Sequence, residues 1–353
     1  MINIELYHGI PYKYESFLIE KYHSFTTTCH YIETYHNNND INYILIYDNK
    51  KLMHILIFKN LNKISICLNT LIHIDQEVLN IYSKKIFNEF PKIKEIKIVN
   101  IYNNNFNSKT ITKTSKLNNY TMFLPNSIDN YYLMLGTKTR KHIKNYKRRL
   151  IRDFPDVKFI SLQGGNIKKE FISKIINLNS ERMLSKGISS GINKEYENNI
   201  INYSQHYGFI CYIEINKQII AGAISYIINN DIYLHVIAHD NKFNKYNIGQ
   251  VCLFHLISTS IEKGLTSFHF LWGRNEYKTR FLAQPQPMYS YSIFKSYSFY
   301  YYFRIFRIFL NIHFTNVRNS ELLFPLKKII NFLRKNYKNS IYCSNLFNIL
   351  TYI

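Results

Sequence analysis

The chain has little that breaks or cross-links a backbone: 7 prolines, 11 glycines, 5 cysteines and one tryptophan in 353 residues. So few prolines and glycines exclude collagen-like and Pro-rich classes. Cys29, Cys67, Cys211, Cys252 and Cys343 are odd in number, scattered and never spaced as CxxC. That offers no zinc-knuckle spacing and fits a reduced, cytoplasmic protein better than a disulfide framework. Long apolar runs are missing too. The opening MINIELYHGIPYKYE has no apolar h-region, and Ser298–Phe314 is interrupted by Arg304 and Arg307, so neither a secretory signal nor a membrane-spanning helix is expected. Acids are scarce: 23 Asp and Glu against 45 Lys and Arg, a formal charge of +22.

Such a charge predicts attraction to something anionic, whether nucleic acid, a phospholipid surface or a phosphate-bearing ligand. Asn, Ile, Lys and Tyr all have A/T-rich codons, so a low-GC genome also inflates the lysine count. The charge is nevertheless clustered. Nine basic residues lie between Lys138 and Lys158 against Asp153 and Asp156, and nine more between Lys295 and Lys338 against Glu321 alone. Hydrophobic residues make up 46% and aromatics 16%, enough for two domains with their own cores.

Apolar periodicity and turn residues predict an α/β chain, a mixed sheet with helices on both faces. In the first third, strands are expected at Tyr43–Tyr47 and Leu52–Phe58 about the turn Asp48-Asn49-Lys50, and at Ile64–Leu68. A helix capped by Asp75 follows to about Phe90, then a strand at Lys94–Ile101. After a strand near Tyr120–Leu124, a basic helix capped by Thr137 runs to about Arg152. From there the expected order is strand, two helices, three strands, a helix from Ile248 to Lys263, a strand at Ser267–Leu271 and a last strand at Met288–Phe294.

Three places could carry chemistry. Between a strand and a helix, Ala238-His-Asp-Asn-Lys-Phe-Asn-Lys-Tyr-Asn-Ile-Gly249-Gln250 sets a glycine at a helix start, where free amides and the helix dipole favour phosphate, with Lys242 and Lys245 nearby. Ordinary turn chemistry accounts for such a glycine as well. In Phe268-His-Phe-Leu-Trp-Gly-Arg-Asn-Glu-Tyr-Lys, a strand gives way to Trp272, Arg274, Glu276, Tyr277 and Lys278, groups suited to proton transfer and anion binding. The alternative is a polar loop with an aromatic anchor. The helix Lys138–Arg152 is basic on nearly every face, suited to tracking phosphates or simply to facing solvent. His235, His239, His255 and His269 lack a carboxylate to complete a ligand set, so no metal is expected.

Taken together, these segments resemble the CelD/BioF-type branch of the GNAT acyltransferase superfamily, related to the FemAB peptidyltransferases. The helix Thr137-Lys-Thr-Arg-Lys-His-Ile-Lys-Asn-Tyr-Lys-Arg-Arg-Leu looks like that family's basic opening helix. Ile220-Ala-Gly-Ala-Ile-Ser-Tyr, Ile232-Tyr-Leu-His-Val-Ile-Ala-His-Asp, Gly249 and Glu262-Lys-Gly-Leu follow the family's order of hairpin, Asp-loop, glycine and helix end. The closing segment is similar to F-D-F-x-x-G-x-x-x-Y-K, with His269 where the family usually has Asp.

The resemblance implies a GNAT-like fold, tandem in origin, with a degenerate first copy at residues 1–125, an acyltransferase domain at 126–297 and a basic amphipathic helical tail at 298–353. It implies transfer of an acyl group from acetyl-CoA or another acyl-CoA to an amine of a small-molecule, sugar or cell-envelope acceptor. The carrier's pyrophosphate would sit at Ile248, Gly249 and Gln250 beside Lys245, and the amide near Ala238 would polarise the thioester. Glu276 is the implied base, with His235 and His239 as rivals, and Tyr277 the acid. Arg140, Trp272, Arg274 and Lys278 would hold substrate. A FemAB-like enzyme using aminoacyl-tRNA is the alternative, and so is a non-catalytic module binding nucleic acid or membrane. The aromatic and basic C-terminal stretch would allow peripheral contact with an anionic surface at the inner membrane face.

Overall fold

The computed structural model describes residues 2–36, 40–103, 106, 108, 110–273, 276–296, 300–306 and 308. Two passes of one topology build a single twelve-stranded sheet. The first comprises β1 (Ile2–His8), α1 (Glu15–Tyr22), α2 (Cys29–Tyr35), β2 (Ile41–Asp48), β3 (Lys51–Leu61), β4 (Ile64–Cys67), α3 (Gln76–Glu89) and β5 (Glu95–Ile101). A long strand, β6 (Ile111–Phe123), then leads through α4 (Ile128–Met134) and α5 (Thr137–Asp153) into the second pass. That pass repeats the order: β7 (Lys158–Gln163), α6 (Lys169–Leu184), α7 (Lys194–Tyr207), β8 (Gly208–Ile215), β9 (Gln218–Ile228), β10 (Asp231–His239), α8 (Ile248–Glu262) and β11 (Ser267–His269). A short α9 (Glu276–Arg280) and β12 (Gln284–Phe294) complete it.

Pairing repeats as faithfully as order. In each pass the first four strands pair antiparallel and the fourth and fifth pair parallel. The fold is therefore a tandem pair. Its last strands are exchanged: β12 lies against β5 of the first pass, and the end of β6 lies against β11 of the second. The two exchanged strands pair with each other from Gln284↔Thr121 to Ile293↔Ile111, closing the sheet in the middle. The division expected at residue 125 thus falls just after β6, and neither segment holds a complete sheet by itself.

Local chemistry explains the elements. Tight turns place Asn49 and Lys50, then Asn216 and Lys217, at positive φ, matching the twist of their hairpins. Asp75 caps α3 by accepting from the Val78 amide at 2.8 Å. Helix α5 opens on Thr137 itself, with Gly136 rather than Thr137 in the cap position. Where α6 crosses β9, a Cβ on Gly222 would lie 2.5 Å from Ile175 Cγ1, so glycine sets the helix–sheet spacing there.

Helices cover both faces of the second pass. One core joins α4, α5 and α8 to the sheet, and another joins α6 and α7 to the opposite face. A third fills the first pass. Buried Glu95 on β5 accepts from Ser292 of β12, and from Arg304 at 2.8 and 3.0 Å. Burial raises its pKa, but the Arg304 guanidinium and the Ser292 hydroxyl prevail and hold it below the usual range. Of the basic tail expected at 298–353, residues 300–306 are helical and packed by this ion pair, and 309–353 lie outside the described residues.

Burial pushes five histidines far below their usual range: His36, His54, His235 and His255 to about 4, and His269 to about 3. Their unfolded counterparts titrate near ~6.5, so on acidification the unfolded chain binds protons first. Stability is expected to be level between about pH 7 and 8 and to fall steeply as pH drops from about 6.5 towards 4. Urea midpoints measured across that range check this; a midpoint unchanged at acid pH would contradict it.

Candidate functional site

The second pass contains a gap that the first does not. Strands β10 and β11 pair only over Asp231–Tyr233 and Ser267–His269, then diverge. A β-bulge between Leu234 and Val236 throws His235 out of register with β9, a device that re-aims a side chain beside a site. The gap opens into a cavity of about 330 Å³, lined by His235 and Ile237 of β10, Leu271, Trp272, Tyr277 and Lys278 after β11, and Asn179, Arg182 and Tyr196 of α6 and α7.

In the first pass the corresponding strands stay together. Beyond β4 the Leu71 amide donates to Asn100 and the Tyr102 amide to Ile72, at 2.8 and 3.0 Å. The two helices behind these strands differ likewise. Asp75 blocks the start of α3 with its own carboxylate. No side chain caps α8, whose N-cap Asn247 takes the left-handed conformation at φ 46°. Of the first-turn amides there, that of Gln250 donates to the Asn247 carbonyl at 2.9 Å, and those of Ile248 and Gly249 remain available to an anion.

Lys278 holds the gap open. It is 2% exposed, and its ammonium donates to the carbonyls of Phe270, Leu271 and Trp272 at 3.0, 3.1 and 2.7 Å. Gathering three successive carbonyls onto one cation turns the chain away from β10 and holds Leu271 at φ 55°, which is uncommon for a bulky side chain. Burial lowers its pKa to about 8. The expectation that Lys278 grips an anionic substrate gives way here, because all three of its donors are taken.

His235 shares a 3.1 Å hydrogen bond with the Tyr196 hydroxyl, and burial keeps it neutral. Tyr277 lines the same cavity, with its pKa raised by burial. Trp272 stands half-exposed at the rim. Arg182 donates at 3.4 Å to the Ile237 carbonyl and to Asn179 Oδ1, and its buried Nε has no partner.

Other expected residues fall elsewhere. Glu276 is exposed at the start of α9 and does not line the cavity, so the base assigned to it is a correction in favour of a group inside. Arg140 lies on α5, whose core is on the opposite sheet face, and it does not line the cavity either. Arg274 lies outside the described residues. Ala238 is displaced by one position. The Asp240 amide donates to Ile220 of β9, and peptide groups alternate along a strand, so Ala238, opposite Gly222, also turns to β9. Ile237 and His239 present their peptide groups to the gap.

His239 sits at the α8 terminus, where its Nε2 bonds Asn244 Oδ1 at 3.1 Å. A Cβ on Gly249 would come within 2.9 Å of its Nδ1, so glycine is required by close approach. Burial lowers the His239 pKa, with Arg182 adding to the effect. Ile248 and Gly249 form the first turn, Gln250 follows, and exposed Lys245 lies over the Tyr246 ring just before it.

On the α6–α7 face, a second cavity of about 560 Å³ is lined by the stacked rings of Tyr233 and His269, whose chain neighbours Leu234 and Phe270 line the first. Both passes wall it, through His23, His54, His73 and Tyr102 on one side and Asp231 and His269 on the other. His269 Nδ1 lies 3.1 Å from both the Asn119 side-chain amide and the Thr121 hydroxyl. Among the described residues no group of three metal-ligating side chains occurs, and no helix is long and apolar enough to cross a membrane.

Residues 137–279 match the family model of the acetyltransferase (GNAT) domain. The match spans α5 to α9 and so contains the gap, the uncapped helix and Lys278. No curated protein matches the chain in a sequence search. Among solved structures, FemX superposes with a TM-score of 0.59 at 10% identity, covering 81% of this chain and 96% of its own. The L-PGS of Bacillus licheniformis gives 0.53 at 14% identity, covering 84% and 95%. A conserved protein of unknown function from Bacteroides thetaiotaomicron VPI-5482 gives 0.50 at 13%, covering 84% and 100%. At these identities the likeness is one of fold, and it extends over both copies.

Arg182 and Tyr196, both within the matched segment, are not among the residues that the sequence marks. A signal existed for the first: Ile175, Asn179 and Arg182 share one face of α6 at offsets of four and three, which puts a cation in line with core positions. Replacing Lys278 with Met should orphan three carbonyls and destabilise the protein by at least about 3 kcal/mol, read from urea unfolding. A loss under about 1 kcal/mol would mean that the gap does not depend on this ammonium.

Proposed function

We propose that the chain is an N-acyltransferase of the GNAT type, whose second copy alone binds the acyl donor. The observation that carries this reading is the contrast between copies: an open strand gap beside an uncapped helix in the second, a closed seam and an Asp-capped helix in the first. The donor we favour is acetyl-CoA or another acyl-CoA, as the CelD/BioF-type resemblance implies. Its phosphates would lie at Ile248, Gly249 and Gln250 near Lys245, and its thioester in the gap, polarised by the peptide N–H of Ile237 or His239.

The acceptor amine would come from the second cavity, past Tyr233 and His269. Its nitrogen adds to the thioester carbonyl, the C–S bond breaks, and the proton lost by nitrogen ends on sulfur. Inside the cavity His235 is neutral and can accept, and Tyr277 keeps its proton and can donate to the thiolate. A base that titrates near 4 cannot strip a free alkylammonium. It takes the proton only once attack has made the nitrogen acidic, so the amine must enter neutral.

A second reading replaces acyl-CoA with aminoacyl-tRNA. The fold likeness to FemX and the exposed cations of α5 favour it, because RNA backbones bind such surfaces with steep salt dependence.

Millimolar acetyl-CoA should raise the melting temperature by at least about 2 °C, an effect lost in Gly249→Glu, where the new side chain collides with His239. No shift, together with tRNA that co-purifies and leaves at high salt, would replace the first reading by the second. His235→Gln should lower kcat by about a hundredfold or more with little change in the KM for donor. Because wild-type His235 is already neutral, kcat/KM should show no inflection from it between about pH 5 and 7.5. A clear inflection there, abolished by the substitution, would contradict its assigned state.

A further inference from the structure

On the sheet face opposite the cavity, α4 and α5 present a surface that the acyl-transfer site does not use. A groove of about 490 Å³ runs between them, with Ile128, Tyr132, Ile143 and Ile151 as walls, Phe254 of α8 at its base, and Lys144, Lys147 and Arg148 along its lip. On the other side of α4, Leu133 (69% exposed) and Met134 (56%) line a separate open cleft with Pro125, Asn126 and Asn130, and Phe123 at the end of β6 is 75% exposed. The cations are available. Asp153 pairs with Arg149 and Arg152, while Lys138, Lys141, Lys144, Lys147 and Arg148 are exposed and have no carboxylate partner among the described residues. Asp129 is the one acid at the groove.

We infer that the α4–α5 face docks on the surface of an anionic phospholipid bilayer. Lysine and arginine along a lip suit lipid phosphates, each adding electrostatic attraction near the surface. Exposed Leu133, Met134 and Phe123 suit the acyl boundary beneath, and the groove between the helices is apolar enough to take a chain. RNA would satisfy the cations, but it binds through phosphate contacts and base stacking on aromatic faces, and Leu133, Met134 and Ile151 supply neither. The combination of apolar projections with unpaired cations is what selects a membrane. This surface is distinct from the C-terminal stretch that the sequence marks for lipid contact, and the inference gives to lipid the α5 cations that the aminoacyl-tRNA reading would give to RNA.

The test is flotation of the full chain with vesicles of phosphatidylcholine containing phosphatidylglycerol, and with phosphatidylcholine alone. Two variants accompany it: Leu133→Asp with Met134→Asp, and Lys144→Glu with Lys147→Glu and Arg148→Glu, all at exposed positions, with melting temperature as the check on folding. The parent protein should float with the anionic vesicles and scarcely with the neutral ones. Each variant should lose at least about tenfold in partitioning. Failure of the parent to float, or equal flotation of the Leu133/Met134 variant, overturns the inference. If that variant behaves as the parent while charge reversal abolishes binding of bulk tRNA, the surface is a nucleic-acid one and the inference is likewise overturned.

Discussion

One buried ammonium holds the site in its shape. Lys278 collects the carbonyls of Phe270, Leu271 and Trp272, and that convergence ends β11 after three residues and carries the chain away from β10. The separation creates the cavity, leaves the peptide groups of Ile237 and His239 facing it, and makes the room in which Arg182, Tyr196 and His235 meet. The bulge at His235 contributes from the other side. Where no such cation exists, in the first copy, Leu71 and Tyr102 zip the equivalent strands together through their amides. A repeated topology thus gives one closed seam and one open one, and the difference lies in a few hydrogen bonds.

Much of the architecture is legible in the sequence because it depends on local rules. Asp75 as a helix cap, the Asp48-Asn49-Lys50 turn and the succession of strands from Phe209 to Ala238 each arise from neighbours along the chain. The strand exchange does not, since nothing local tells β6 that its partners are β11 and β12, at the far end of the second copy. The sequence pattern predicts β6 only near Tyr120–Leu124 because Lys113, Lys116, Asn118 and Asn119 mask its alternation. At the site, types are legible before roles. Trp272, Tyr277 and Lys278 are marked as chemistry-bearing and do lie at one cavity, yet burial assigns Lys278 to architecture. Glu276, the implied base, is exposed, because a helix as short as α9 turns neighbouring side chains to opposite surroundings.

The basic excess divides into parts with different fates. Arg304 is consumed internally against Glu95, where removing the cation would leave a buried carboxylate uncompensated, a loss of about 3–5 kcal/mol. Arg149 and Arg152 are satisfied by Asp153 at the end of their own helix. The remaining cations of α5 are not neutralised by any described carboxylate. At the α8 terminus few charges are needed, since backbone amides supply most of the attraction for an anion.

The exchange of β6 and β12 bears on how the chain comes off the ribosome. When β6 emerges, neither of its neighbours has been made, and β5 stands with an open edge until the last strand arrives. A thirteen-residue strand of mixed polarity must therefore wait through the synthesis of the entire second copy. Its lysines and asparagines, which obscure it in the sequence, keep that waiting edge from pairing with the wrong chain. The middle of the sheet is the last part to close, so the second copy cannot be complete before the first has received its final strand.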